Sequence, residues 1–171
     1  SSHLLVTTSS NQILDYNDGS PLGQWSDVTG SSGSGDLLGI HGSGPNDIWA
    51  VGRSLANINI AARYNGIGWN NVAINLSPET NGVDLYDVSA ADSDTAFVVG
   101  DSKYDGNTMT HTLPIFRYES GVWSQQTFPV TGALFGVWGF SQNDVFAVGY
   151  LGRTAHFNGS TWTTQISSSI S

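Results

Sequence analysis

The chain has 171 residues, of which 39% are hydrophobic and 11% aromatic, enough for one folded domain with a substantial core. Five Lys or Arg against 14 Asp or Glu give a net charge of −9, so the chain offers no basic footprint for nucleic acid or for an anionic membrane. There is no cysteine, which excludes disulfides and thiolate metal sites. No apolar run reaches the roughly 20 residues of a membrane-spanning helix.

Residues 1–30 contain a short apolar run, then an aromatic residue, then a tryptophan. Leu4-Leu5-Val6 aligns with the later Trp49-Ala50-Val51, and Tyr16 and Trp25 follow it. This alignment places residue 1 at the start of a second strand. We therefore expect this part of the chain to contain strands two, three and four of a unit that lacks its first strand.

Three longer copies of the same pattern follow. Each opens on a leucine and reaches a glycine 15 residues later, at Leu37 to Gly52, Leu85 to Gly100 and Leu134 to Gly149. Short apolar or β-branched runs separated by Gly, Asn, Asp and Ser predict strands joined by turns. No segment has a sustained helical period. In each copy an aromatic residue then ends a third run, and a tryptophan five residues later opens a fourth: Tyr64 and Trp69, Tyr118 and Trp123, Phe157 and Trp162.

The copy from Leu134 to Trp162 resembles a bacterial β-propeller repeat with the motif Leu-x-Gly-Val-Trp-Gly, Asp-Val-Phe-Ala-Val-Gly, Gly-x-x-x-His-x-x-Gly-x-x-Trp. Such repeats are loosely grouped with BNR-type, sialidase-like repeats. The resemblance implies an all-β protein, a single β-propeller or propeller segment of about four blades. Each blade is a four-stranded antiparallel sheet, and the first lacks its innermost strand. The blades are expected at residues 1–30, 36–76, 84–129 and 133–167.

The strand inventory leaves the completeness of the ring open. The chain is either part of a larger propeller, with further blades or a second chain completing the ring, or a compact four-bladed ring with a degenerate closing blade. An isolated open array is the least favoured form, because it would expose strand edges.

The four repeated tryptophans are candidates for ligand binding. They either pack between blades or provide aromatic platforms for sugar rings, since large rigid rings give contact area at little conformational entropy. The residues are Trp25, Trp69, Trp123 and Trp162.

The longest insertion, residues 101–111, is a second candidate binding region, because extended loops on repeat scaffolds often carry binding. Asp101, Asp105 and Asn107 could engage a ligand there, or calcium through oxygen atoms, although their spacing is not that of an EF-hand. We predict no other cofactor and no metal site. The recurring Asp47, Asp94 and Asp144 are interpreted as turn formers.

No catalytic residue is predicted. The sequence has no Gly-x-Ser-x-Gly elbow, and its four histidines lack metal-ligand spacing. The favoured function is a non-catalytic, extracytoplasmic binding or assembly module, lectin-like, with a glycan or protein ligand held by the propeller loops. The alternatives are a glycan-active hydrolase or lyase, and a structural subunit of a cell-surface assembly. Few lysines and abundant Ser, Thr and Asn favour a secreted or cell-surface location.

Overall fold

The structure is a computed structural model, and the residues it describes lie throughout the chain. They are 3–8, 12–17, 24–27, 35–54, 59–72, 74, 83–102, 104–105, 110–111, 115–128 and 132–165.

Four antiparallel sheets follow one another along the chain. The first has three strands, in the order β1 (His3–Thr7), β2 (Ile13–Asn17) and β3 (Gln24–Asp27). We call it blade 1. Blade 2 is a four-stranded sheet in the order β4 (Gly35–Gly44), β5 (Asp47–Ser54), β6 (Asn59–Tyr64) and β7 (Trp69–Asn71).

Blades 3 and 4 are also four-stranded. Blade 3 comprises β8 (Leu85–Ala90), β9 (Thr95–Gly100), β12 (Ile115–Glu119) and β13 (Val122–Gln125), and the small ribbon of β10 (Tyr104–Asp105) and β11 (Thr110–His111) lies between its second and third strands. Blade 4 comprises β14 (Leu134–Ser141), β15 (Asp144–Gly149), β16 (Thr154–Phe157) and β17 (Trp162–Gln165), with a 3-10 turn at Tyr150–Gly152.

The repeated glycine that ends each second strand has a steric cause. A Cβ at Gly52, Gly100 or Gly149 would collide with the backbone carbonyl oxygen of the residue before the opening leucine of the same blade. Only glycine lets the first and second strands approach so closely. The same first-strand irregularity follows the opening leucine in each of blades 2, 3 and 4. The glycine and the irregularity therefore belong to one repeated backbone design.

The cores lie between blades. One cluster joins Trp49 and Val51 of blade 2 to Val88, Tyr118 and Trp123 of blade 3. A second joins the next pair of blades in the same way, with Phe97, Val99 and Ile115 packed against Leu134, Val137, Phe157 and Trp162. The innermost strands β4, β8 and β14 contact one another in that order, and β1 contacts β4. Each blade thus stacks on the next through one apolar face.

The predicted all-β class and the four-stranded blades are confirmed, and among the described residues blade 1 has three strands without an innermost one, as predicted. The alignment of Leu4 with Trp49 is wrong by one residue. Leu4 pairs with Tyr16 as Ile48 pairs with Tyr64, so the residue that corresponds to Trp49 is Leu5. The reason is that aromatic residues end the third strand in every repeat, and pairing with them fixes the register more strictly than apolar similarity does.

Candidate functional site

In blades 2 and 3 the second strand carries an aromatic side chain that points at the following blade. It is Trp49 in blade 2 and Phe97 in blade 3, and these side chains are 1% and 0% exposed. Opposite them on the third strand lie Arg63 and Arg117. An aromatic ring and an arginine therefore fill the same place in two successive interfaces.

The ring at this position packs edge-on against the following blade. The Trp49 ring centroid lies 4.8 Å from that of Tyr118 and 5.5 Å from that of Trp123. In the next interface the Phe97 ring lies 5.6 Å from Phe157 and 6.1 Å from Trp162. Three of these pairs are edge-to-face and the Phe97–Phe157 pair is tilted, and aromatic pairs of this kind add stability beyond the area they bury.

The arginine of each interface packs over the same aromatic rings. The guanidinium carbon of Arg63 lies 5.1 Å from the Trp49 ring centroid and 5.5 Å from that of Tyr118, and its Nε donates to Asp47 Oδ1 at 2.6 Å. Arg117 lies in the same way over Phe97 and Phe157. A cation over aromatic rings is attracted by their electron-rich faces.

The interface between blades 1 and 2 has different residues at both positions. Leu5 stands where the other blades have an aromatic ring, and its cross-strand partner is Asp15 in place of arginine. The smaller side chain and the acidic group leave the facing Tyr64 and Trp69 incompletely covered. A cleft of about 920 Å³ opens between the two blades, within the size range of small-molecule sites.

The walls of this cleft, which we call the blade 1/2 cleft, combine aromatic, aliphatic and polar groups. Trp69 is partly exposed in it, and the Tyr64 and Trp69 ring centroids are 5.7 Å apart. Its aliphatic part includes Leu5 and Ile40. Its polar part includes Asp15, His41 and Asn46.

His41 has one ring nitrogen already engaged. Its Nδ1 accepts the backbone N–H of Ala90 at 3.0 Å, so the neutral ring carries its proton on Nε2. The cleft thus contains both hydrogen-bond acceptors, at Asp15 and Asn46, and donors, at His41 and the Asn46 amide.

The candidate tryptophans have different environments. Trp123 and Trp162 are 8% and 6% exposed and pack between blades, the first of the two alternatives for these residues. Their indole N–H groups have no hydrogen-bond partner among the described residues. Trp69 is partly exposed, and it lines the cleft. The backbone of Trp25 pairs with Tyr16 in the same register, but the Trp25 side chain lies outside the described residues.

The insertion between the second and third strands of blade 3 forms the ribbon of β10 and β11. Asp101 precedes it, is exposed, and accepts the backbone N–H of Ser102 at 2.8 Å. The Asp105 side chain and Asn107 lie outside the described residues. No group of three or more His, Asp or Glu suited to a metal occurs in the described part of the chain. Calcium binding there stays a prediction.

Trp69 was a candidate from the sequence, but Leu5 and Asp15, which stand opposite it in the cleft, were not. With the corrected register, Leu5 is equivalent to second-strand positions that hold aromatic residues in the other blades. Asp15 is equivalent to third-strand positions that hold arginine or histidine. His156 holds this third-strand position in blade 4, where its ring stacks on Phe146 at 4.4 Å and its Nε2 lies 2.6 Å from Asp144 Oδ1. The corrected register is the signal that would have found the site.

Solved structures with this arrangement of sheets are β-propellers. The chain is similar to Ycf48 from Cyanidioschyzon merolae (TM-score 0.58, 20% identity, 78% of this chain and 41% of that one). It is also similar to the allergen Mala s 1 of Malassezia sympodialis (TM-score 0.57, 10% identity, 93% and 57%). A third is Aleuria aurantia lectin bound to Fucα1-6GlcNAc (TM-score 0.53, 14% identity, 94% and 58%). The chain therefore has a β-propeller fold.

The chain spans about half the length of these solved structures, from 41% of Ycf48 to 58% of the lectin. No protein-family model matches the sequence, and no curated protein is similar to it. Among the described residues, no helix has the length and apolar character needed to cross a bilayer.

Proposed function

We propose that this chain is a non-catalytic binding module that holds a sugar residue of a glycan in the blade 1/2 cleft. The observation that carries the proposal is the partial exposure of Trp69 in a cleft of about 920 Å³, whereas Trp123 and Trp162 at the same repeat position are buried. Leu5 and Asp15 create this difference.

A sugar matches the chemistry of the walls. A pyranose ring has apolar C–H faces that can lie on an indole, and hydroxyl groups that can exchange hydrogen bonds with Asp15, Asn46 and His41. Rigid aromatic side chains supply contact area without losing much conformational entropy. The structural similarity to a lectin bound to fucosides supports the choice of ligand class.

Binding without turnover is the favoured form of the proposal over a glycan-active hydrolase or lyase. A glycoside hydrolase generally uses two facing carboxyl groups, and the described lining of the cleft supplies one, Asp15. A protein ligand or a role in assembly is the second candidate, favoured by exposed apolar side chains in blade 4. The similarity to Ycf48 bound to a D1 peptide supports it.

Membership in the bacterial, BNR-like repeat family and an extracytoplasmic location are part of this proposal. They are supported by the Leu134–Trp162 motif and by a composition poor in lysine.

The test is a glycan array probed with the labelled full chain, followed by titration of α-methyl-L-fucoside and of the best array glycan by calorimetry. Trp69→Ala should weaken binding about tenfold or more, since truncation of an aromatic anchor in a binding site typically costs about 2 kcal/mol. Tyr150→Ala is the control, because Tyr150 is a 55% exposed aromatic residue of blade 4 that does not line the cleft.

No array signal, or equal binding by the Trp69→Ala variant, would overturn the sugar assignment. The same chain incubated with chromogenic glycosides should release no product. Turnover that persists through repurification would assign the cleft to an enzyme instead.

A further inference from the structure

The interface between blades 2 and 3 holds a cation between aromatic rings and a carboxylate. The Arg63 guanidinium packs over the Trp49 and Tyr118 rings, and its Nε donates to Asp47 Oδ1 at 2.6 Å. The faces of the rings attract the cation, and the carboxylate neutralises its charge. This interface is therefore a cation-binding arrangement that the protein fills with its own side chain.

The interface between blades 3 and 4 has the same three components. The guanidinium carbon of Arg117 lies 5.6 Å from the Phe97 ring centroid and 5.8 Å from that of Phe157. Its Nη2 donates to Glu119 Oε1 at 3.0 Å. The carboxylate comes from a different strand than in the preceding interface, so rings, cation and carboxylate recur together although the ion pair itself differs.

The blade 1/2 cleft contains two of these components. Tyr64 and Trp69 are the equivalent ring pair of blade 2, with centroids 5.7 Å apart. Asp15 lines the cleft and stands at the third-strand position that holds arginine in blades 2 and 3. Because an aspartate side chain is shorter than arginine, the space that a guanidinium fills in the other two interfaces belongs here to the cleft.

The third component, the cation, does not come from the described lining of the cleft, which includes no lysine or arginine. His41 is a basic residue of this lining, but its Nδ1 accepts the backbone N–H of Ala90 at 3.0 Å, which a protonated Nδ1 could not do. Its ring also packs edge-on against Trp138, with the centroids 5.0 Å apart. The neutral His41 ring is thus held by contacts outside the cleft, and the described lining is acidic.

We propose that the blade 1/2 cleft binds its sugar through an ammonium group, so that its ligand is a hexosamine residue whose amino group is not acetylated. This inference rests on the proposed function and names the class of sugar. The ammonium group lies over the Tyr64 ring, where the other interfaces place a guanidinium, and donates to Asp15. The apolar face of the same pyranose packs on Trp69. A hydroxyl or an N-acetyl group on the same ring carbon is neutral and makes neither charged interaction.

The test is a calorimetric titration of the full chain with oligosaccharides of glucosamine, of N-acetylglucosamine and of glucose, with the amine protonated. The three sugars share one ring and differ only in the substituent on one carbon, so their comparison isolates the charge and needs no variant. We expect the glucosamine oligosaccharide to bind about tenfold or more tightly than either neutral one.

Asp15→Asn keeps the size and hydrogen bonding of the side chain but removes its charge, so it should reduce glucosamine binding to the level of the neutral sugars. Asp94→Asn is the matched control, because Asp94 is an exposed residue of blade 3 that does not line the cleft. It removes the same charge from a chain of net charge −9, and it should keep the preference. Circular dichroism and thermal melting verify that both variants fold.

Three results would overturn the inference and leave the proposed function standing. They are equal affinity for the three sugars, a preference for glucosamine that survives Asp15→Asn, and binding of another array glycan without any of these three. No glycan binding at all would overturn the proposed function itself and this inference with it.

Discussion

The interface between blades 2 and 3 and the one between blades 1 and 2 share a backbone register but differ in the cross-strand pair that faces the aromatic residues of the following blade. In the first, Trp49 and Arg63 fill the space in front of Tyr118 and Trp123. In the second, Leu5 and Asp15 leave a cleft in front of the equivalent aromatic pair. The same scaffold therefore has a packed core in one interface and an open cleft in the other.

The largest expected effect follows from replacing Trp49 of the blade 2/3 interface with leucine, the residue at the equivalent position of the blade 1/2 interface. Trp49→Leu removes a ring that is 1% exposed and touches Tyr118 and Trp123. We expect the free energy of unfolding to fall by about 3 kcal/mol, the scale of large aromatic truncations in cores. Chemical denaturation measures it.

Phe97→Leu, the same change one blade later, should give a similar loss, and Val122→Ala at an exposed position should give almost none. A small loss for both core variants would mean that the interfaces between blades contribute little to stability.

Removing the Arg63 guanidinium from the blade 2/3 interface should have the next largest effect on stability. Arg63 Nε donates to Asp47, its Nη1 lies 3.4 Å from the Tyr118 hydroxyl oxygen, and its Nη2 donates to the Ser93 carbonyl. Arg63→Ala leaves the buried Asp47 carboxylate without its charged partner, so we expect a loss of about 2 kcal/mol in the free energy of unfolding.

Arg63→Lys should restore part of that loss, because lysine keeps the charge but not the planar geometry over the rings. Unchanged stability of Arg63→Ala would show that the Arg63–Asp47 ion pair contributes nothing measurable to the free energy of unfolding.

Much of the fold follows from sequence periodicity, while the site does not. Recurring Leu, Gly and aromatic residues predict each strand and the missing strand of blade 1, because these residues meet constraints inside one blade. The cleft depends on which side chain of blade 1 covers Trp69 of blade 2, a contact between blades that no spacing encodes. A shift of one residue at Leu4 and Leu5 was enough to hide it.

A smaller, pH-dependent effect is expected at Asp87, on the innermost strand of blade 3. Burial raises the pKa of Asp87 above its usual range, although the backbone N–H groups of Val137 and Val88, each 2.9 Å from a carboxylate oxygen, and the nearby His41 oppose the shift. Folding thus disfavours the ionised form. The contribution of Asp87 to the free energy of unfolding is greatest below the unfolded-state value near 3.8 and declines as the pH rises through the folded-state pKa.

Asp87→Asn does not titrate, so the stability of the unmodified chain relative to this variant should decrease from acidic to neutral pH. Denaturation of both proteins across this range measures the difference, with Asp94→Asn as an exposed control. A difference that grows with rising pH would contradict the direction of the shift.

The smallest effect is expected where blades 2 and 3 are joined by exposed charges. Arg53 lies 3.1 Å from an Asp36 oxygen and 3.3 Å from an Asp84 oxygen, but half of its side chain is exposed to solvent. Solvent-screened pairs contribute little. Arg53→Gln should leave the denaturation midpoint unchanged, and a shift as large as that of Arg63→Ala would show that charge, not ring packing, joins these blades.

The most direct test of the open interface is to close it. Leu5→Trp places at the blade 1/2 interface the residue that fills the blade 2/3 interface, with calorimetric titration of the best array glycan as the readout. We expect the variant to fold with at least the stability of the unmodified chain and to lose glycan binding, because the indole occupies the space in front of Trp69. A stable Leu5→Trp variant that binds the glycan as the unmodified chain does would contradict the assignment of the site to this cleft.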